Sequence, residues 1–266
     1  EKNLKFLVQL TLEDNYENVD LVIWPETSVP FDIQNNSENF LELKSKLKKI
    51  NNLIIGGINK EIEPEVKIYN SLFLLKENLK DTYIHNKLKL VPFGEFIPLR
   101  NFLRKKNITI SGIDFSRGEK VNIFPLSKNI KILPLICYEV IFPSITRHKS
   151  NEYNLIINIT NDAWYGKSKG PAQHFALAKI RAVQEGKYLL RVANTGISGI
   201  IDNNGNTLNS LAINQRGIID KELVLSTKNT MYSKFGDKIF FILIIILLII
   251  LIILNLKKGI KFKNEK

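Results

Sequence analysis

Sulfur is nearly absent from these 266 residues, which contain one cysteine, Cys137, and one methionine. A single thiol excludes an internal disulfide framework and leaves one cysteine whose purpose needs explaining. Histidine is almost as scarce, and His85, His148 and His174 show no metal-ligand spacing such as HExxH. Acidic residues are outnumbered, 26 against 38 lysines and arginines, for a net charge of +12. Such an excess raises nucleic-acid binding as a possibility, yet there is no zinc-finger spacing and no RNP motif. From Lys238 onward six lysines against one acid supply +5 of the charge. The rest is spread through a Lys-, Asn- and Ile-rich chain and reads as solvated surface, with no nucleic acid expected as a partner.

Apolar residues make up 44% of the chain, enough to bury a large core. One run is longer than a core needs. Ile239–Leu254 is unbroken Ile, Leu and Phe, extended by Asn255 and Leu256, with Lys238 before it and Lys257-Lys258 after it. About 18 helical residues reach roughly 27 Å, the hydrocarbon thickness of a bilayer. Residues 238–256 are therefore expected to cross a membrane. The basic tail 257–266 places the C-terminus in the cytoplasm by the positive-inside rule, and residues 1–237 on the other side, the periplasm in a bacterium. The sequence starts at Glu1 with no signal-peptide pattern, so an export signal or earlier spans are expected upstream of an N-terminally truncated domain, residues 1–230.

Within residues 1–230 helical and strand patterns alternate, the mark of an α/β fold. Helical spacing runs through Leu4–Leu12, Phe40–Ile50, Ser144–Lys149 and Ala172–Glu185. Strand patterns fall at Val19–Trp24, Leu53–Ile58, Tyr69–Leu75, Lys131–Cys137, Leu155–Ile159 and Tyr188–Ala193. A turn is expected at Lys76–Lys80, and a hairpin joins Gly199–Asp202 to Thr207–Leu211 around Asn203-Asn204-Gly205.

Three segments place an ionisable residue next to an apolar strand, where α/β proteins build sites. They are Leu21-Val22-Ile23-Trp24-Pro25-Glu26, His85-Asn86-Lys87 leading to Val91-Pro92-Phe93-Gly94-Glu95, and Leu133-Pro134-Leu135-Ile136-Cys137-Tyr138-Glu139. Singly, Glu26 fits a turn or cap, Lys87 a surface lysine and Cys137 a small buried hydrophobe. Jointly they supply a nucleophile, a base and a cation. A thiol needs a partner to take its proton, and an ammonium favours both the thiolate and a negative tetrahedral oxygen.

In this order and spacing the segments resemble the nitrilase superfamily, over nearly all of residues 1–220. The resemblance implies a four-layer α-β-β-α sandwich, with Glu26 as general base, Lys87 as oxyanion-stabilising cation and Cys137 as nucleophile. The run Cys137-Tyr138-Glu139-Val140-Ile141-Phe142-Pro143 narrows it. So do Val91-Pro92-Phe93-Gly94-Glu95-Phe96-Ile97-Pro98, Asn161-Asp162-Ala163-Trp164-Tyr165-Gly166 and Arg191-Val192-Ala193-Asn194-Thr195-Gly196. Together these look like the apolipoprotein N-acyltransferase family. That resemblance implies a phospholipid acyl donor, a thioester on Cys137 and the N-terminal amine of an S-diacylglyceryl-cysteine apolipoprotein as acceptor. It further implies a bacterial inner-membrane location, no cofactor or metal, and supporting roles for Glu95, Tyr138, Glu139 and Trp164; the chain is expected to be a monomer. The alternative is a membrane-anchored amidase whose thioester is resolved by water. Between Glu95 and Arg117 a mobile lid is expected, mixing apolar Phe96, Ile97, Leu99, Phe102 and Leu103 with basic Arg100, Arg104, Lys105 and Lys106.

Overall fold

Side-chain alternation along the strands builds the layers. The computed structural model describes residues 2–13, 19–31, 33, 38–76, 79, 81–98, 114–147 and 151–264, with side chains as far as residue 255. One sheet has the order β1 (Val22–Ile23), β2 (Leu53–Glu61), β3 (Lys67–Lys76), β4 (Asp81–Asn86). The other runs β10 (Thr207–Leu211), β9 (Ser198–Ile201), β8 (Tyr188–Asn194), β7 (Leu155–Asn161), β6 (Lys131–Ile136), β5 (Phe124–Pro125).

Three apolar clusters divide the residues of these strands by parity. Ile54, Leu72 and Leu74 of the first sheet meet Ile132, Ile136, Leu155, Ile157 and Ile159 of the second, forming the layer between the sheets. Their neighbours Leu53, Ile55, Phe73 and Leu75 face the other way, toward Phe40 and Leu43 of α2 (Glu38–Lys46) and Leu4, Leu7 and Val8 of α1 (Lys2–Glu13). On the far side, Leu133, Leu135, Ile156 and Leu189 cover Ile145 of α3 (Pro143–Arg147) and Ala178 and Ala182 of α4 (Gly170–Glu185). The result is the expected α-β-β-α sandwich.

Several elements differ from the sequence reading. Only Val22–Ile23 of the expected Val19–Trp24 strand is a strand, parallel to Leu53–Ile54 for two pairs. Pro25 then turns the chain away, although the Trp24 N–H still donates to Ile54 O at 3.0 Å or less (2.8 Å). The edge strands β4 and β5 carry no strong strand pattern, because an edge strand with one solvated face tolerates residues such as Asp81 and Thr82. β4 nonetheless pairs with β3 over six residues, from Lys76↔Asp81 to Ser71↔Asn86. Of the expected lid, residues 99–113 lie outside the described residues; those of the expected helix Ser144–Lys149 as far as Arg147 fall in α3, and 148–149 lie outside them.

After β10 the chain returns to the outer helices. The Lys228 N–H donates to Gly186 O (2.8 Å), the Thr230 hydroxyl donates to Gln184 O, and Arg147 Nη1 lies 3.9 Å from Asp237 Oδ2. These contacts bind α4 and α3 to the short α5 (Met231–Phe235) and the start of α6 (Lys238–Asn264). Lys238–Asn255 of α6 is long and apolar enough to cross a membrane, and none of it is buried against the domain. The helical backbone continues through Lys257 and Lys258 into the basic tail.

Gly56 of β2 lets the Glu26 turn lie against the sheet. A Cβ there would sit 2.7 Å from Glu26 Cα and Thr27 N and 2.8 Å from Pro25 O, all backbone atoms that cannot rotate away. Gly56→Ala should therefore lower stability by about 1–3 kcal/mol through overpacking. Thermal unfolding checks this as a depressed Tm, and a wild-type midpoint would show that the turn yields freely.

Candidate active site

Glu26, Lys87 and Cys137 come from three different elements and meet at the ends of the two inner sheets. Glu26 follows β1 and the Trp24-Pro25 stop, Lys87 follows β4, and Cys137 follows β6. All three are buried, at 3%, 1% and 5% exposure. Lys87 Nζ donates to Glu26 Oε1 at 3.2 Å and to Glu95 Oε1 at 2.9 Å. Asn70, in the middle of β3, donates through Nδ2 to the same two oxygens, each at 2.8 Å. The remaining oxygens are satisfied by backbone: the Asn161 N–H donates to Glu26 Oε2 (2.7 Å) and the Val91 N–H to Glu95 Oε2 (2.9 Å). Glu26 is thus held from three elements at once, by Asn70 of β3, Lys87 after β4 and Asn161 of β7, and Glu95 closes its own loop.

Two carboxylates and a cysteine surround one ammonium, and the charges decide the protonation states. Burial alone would depress the Lys87 pKa, but Glu26, Cys137 and Glu95 outweigh it and push it up, so the side chain is held as a cation. The Cys137 thiol is pushed up to about 12, first by burial and second by the Glu26 charge. Lys87, the Thr160 hydroxyl and Arg191 pull the other way and do not win. Cys137 is therefore a neutral thiol at rest, in the field of a carboxylate chemically able to take a proton.

Cys137 sits at φ 53°, a left-handed conformation that a β-carbon disfavours and that costs on the order of 1–3 kcal/mol. Thr27 (φ 53°) and Phe93 (φ 63°), on the Glu26 and Glu95 turns, share it. A buried polar scaffold holds the cysteine there. Asn158 of β7 donates through Nδ2 to Cys137 O (3.0 Å) and Leu135 O (3.2 Å), and its own oxygen accepts from Arg191 Nη1. Arg191 Nη2 in turn donates to Asp162 Oδ2 at 2.9 Å, and His174 Nδ1 lies 2.9 Å from Asp162 Oδ1. Burial would raise the Asp162 pKa, but His174 and Arg191 hold it below the usual range, as an anion.

Glu139 is fully buried, two residues after Cys137. Its Oε1 accepts from the Leu88 N–H (2.6 Å) and Lys89 N–H (3.3 Å), and its Oε2 from the Ile136 N–H (2.8 Å) with His85 Nε2 at 3.4 Å. It buckles the Cys137 strand end to the Lys87 loop. Burial, which would raise its pKa, is overcome by His85 and these amides, and the group is held low. Tyr138 places its ring 5.8 Å from Lys87 Nζ and donates its hydroxyl to Leu90 O at 2.5 Å. Trp164 is half exposed on the turn Asp162–Tyr165. Its neighbour Tyr165 is the residue of that turn whose pKa, raised first by burial, also feels the charge of Cys137. Asn70, Asn158 and Arg191 escaped the sequence reading as site residues. Their signal was a polar side chain in the middle of an apolar strand, which demands a buried partner. Among the described residues no group of His, Cys, Asp and Glu is placed to hold a metal ion.

The family model described as carbon-nitrogen hydrolase matches residues 1–231. The chain belongs to the carbon-nitrogen hydrolase family. Solved members share this fold: a CN-hydrolase superfamily protein of Xanthomonas campestris superposes with a TM-score of 0.61 at 17% identity, over 90% of this chain and 88% of that one. Nit3 of Saccharomyces cerevisiae, a nitrilase superfamily member, gives 0.56 at 20% identity, over 80% and 79%. Among curated relatives, the apolipoprotein N-acyltransferase of Rickettsia prowazekii is 39% identical over 87% of this chain and 47% of its own length. That of Rhizobium rhizogenes is 32% identical over 91% and 46%. The chain spans about half the length of these relatives.

A neutral resting thiol has a kinetic signature. Only the thiolate is alkylated, so the rate of Cys137 modification by iodoacetamide should rise about tenfold per pH unit from pH 7 to 10 without levelling. A plateau below pH 9 would mean that Lys87 outweighs Glu26 and burial, contrary to the charge balance described above.

Proposed function

We propose that this chain is the catalytic part of a membrane-bound apolipoprotein N-acyltransferase, and that Glu26, Lys87 and Cys137 form its triad. The observation that carries the reading is the buried Lys87–Glu26 contact beside Cys137, on a chain ending in an exposed apolar helix. The names of the curated relatives support an apolipoprotein acceptor.

Catalysis then runs in two halves. The Cys137 thiol attacks an acyl ester carbonyl of a phospholipid while Glu26 takes its proton. The oxyanion forms against Lys87 and a backbone N–H near Tyr138 at the start of the turn Cys137–Ile141. Collapse expels the lysophospholipid alkoxide, which recovers the proton from Glu26, and leaves an acyl thioester. The α-amine of an S-diacylglyceryl-cysteine apolipoprotein next attacks that thioester and loses a proton to Glu26. The second collapse releases the amide and the Cys137 thiolate, which is reprotonated. No step calls on a cofactor.

Glu95 holds Lys87 in place and adds the second negative charge that keeps it protonated. Tyr138 and Glu139 position the nucleophile turn, and Trp164 shapes the opening. The domain, residues 1–230, lies in the periplasm of a bacterial inner membrane, tethered as a monomer by residues 238–256, with 257–266 in the cytoplasm. The lysines that follow the apolar run support this orientation.

The protein in its membrane, given a phospholipid and a diacylglyceryl-cysteinyl peptide, should convert the peptide amine to an amide. Cys137→Ser should abolish the reaction, and Glu26→Gln or Lys87→Met should slow it by about 10²-fold or more. Hydrolysis of simple amides with no acylated peptide would make the chain an amidase and overturn the reading.

A further inference from the structure

The end of β7 serves the Cys137 turn with side chains as well as backbone. Ile136 and Ile159 are the last paired residues of β6 and β7, which run parallel, so Thr160 comes level with Cys137 as the chains leave the sheet. Asn158 and Thr160 alternate with Ile159 and share one face of β7. Asn158 takes the Cys137 carbonyl. Thr160 is fully buried, and its hydroxyl lies within hydrogen-bonding reach of the Cys137 thiol, where it favours the thiolate.

At rest that hydroxyl is engaged elsewhere. It donates to Asp162 Oδ1 at 3.2 Å. The same oxygen has His174 Nδ1 at 2.9 Å and Arg191 Nη2 at 3.2 Å, and Arg191 Nη2 also reaches Asp162 Oδ2 at 2.9 Å. A carboxylate oxygen has two lone pairs, so Oδ1 is offered one donor more than it can seat. The Thr160 proton can therefore turn away without leaving a buried charge unpaired. Branching at Cβ holds the heavy atoms in place, so the turn is a rotation of the O–H alone. Lys87, in contrast, donates to Glu26 and Glu95 and acts on the sulfur through its charge.

We propose that Thr160 is a switchable hydrogen-bond donor to Cys137, its hydroxyl turning from Asp162 to the sulfur whenever the thiolate forms. The thiol proton leaves for Glu26, and the Thr160 proton stays on its own oxygen. The use of this donor in turnover rests on the acyl-transfer function proposed above, in which negative sulfur appears twice, as the thiol attacks the ester and as the thioester collapses. Glu26 and Glu95 both repel that charge, and a hydroxyl aimed at the sulfur supplies a charge-assisted hydrogen bond against them.

Alkylation of Cys137 by iodoacetamide in the membrane-embedded protein reads the donor directly and needs no lipid. Thr160→Val keeps the shape and removes the hydroxyl. It should slow alkylation about three- to tenfold at every pH from 7 to 10, because losing a hydrogen bond to a charged group makes the thiolate scarcer while its higher basicity restores part of the rate. Thr160→Ser keeps the hydroxyl and should stay within about twofold of wild type. A purely structural Thr160 predicts the other sign, since a loosened site exposes the buried thiol and speeds alkylation. Unchanged or faster alkylation in Thr160→Val overturns the proposal, and so does equal slowing in Thr160→Val and Thr160→Ser. Should Thr160→Val not fold, Thr160→Ala against Thr160→Ser gives the same comparison. Because no acyl donor enters the measurement, failure of this donor and failure of acyl transfer are separate results.

Discussion

Lys87 Nζ stands between two carboxylates in a space that water does not reach, 3.2 Å from Glu26 and 2.9 Å from Glu95. An ammonium buried this deeply survives only because it is paired, and removing one partner of a buried pair costs roughly 3–5 kcal/mol. The rest of the site follows from that requirement. The Lys87 strand end must meet the Glu26 turn and the Glu95 turn, and Asn70 on β3 bridges both carboxylates from a third direction. Since one positive charge faces two negative ones, a thiolate at Cys137 would add a third negative charge. The thiol is therefore held protonated at rest.

The second constraint is mechanical. Cys137 holds a backbone conformation that the strand before it cannot impose, and Asn158 fixes its carbonyl. Asn158 answers to Arg191, and Arg191 to Asp162 and His174, so polar side chains of β7, β8 and α4 converge behind Cys137. Glu139 does the same on the other side by binding amides of the Lys87 loop and of Ile136. The site is preorganised by buried hydrogen bonds whose loss would leave unpaired charge.

Much of this was legible in the sequence because the layers depend on alternation. Leu53–Ile55, Leu72–Leu75 and Leu155–Ile159 announce strands buried on both faces, and Ile239–Leu254 announces a helix long and apolar enough to cross a membrane. Glu26 and Cys137 could be picked out since each follows an apolar strand, and Lys87 from the His85-Asn86-Lys87 segment through the family resemblance. Edge strands β4 and β5 were hidden, as half-solvated edges carry no apolar period. The supports were hidden for a different reason. Asn70, Asn158 and Arg191 lie mid-strand, and only three-dimensional pairing across β3, β7 and β8 shows that they serve Glu26 and Cys137.

The central claim is that Cys137 carries the acyl group between two substrates. Its most direct measurement is peptide mass spectrometry of the membrane-embedded protein after exposure to phospholipid without an acceptor. The account predicts a fatty-acyl mass on the Cys137 peptide, labile to hydroxylamine as a thioester is and discharged when an amine acceptor is added. An acyl mass on another residue, or an unmodified Cys137 in protein that still transfers acyl groups, would contradict it.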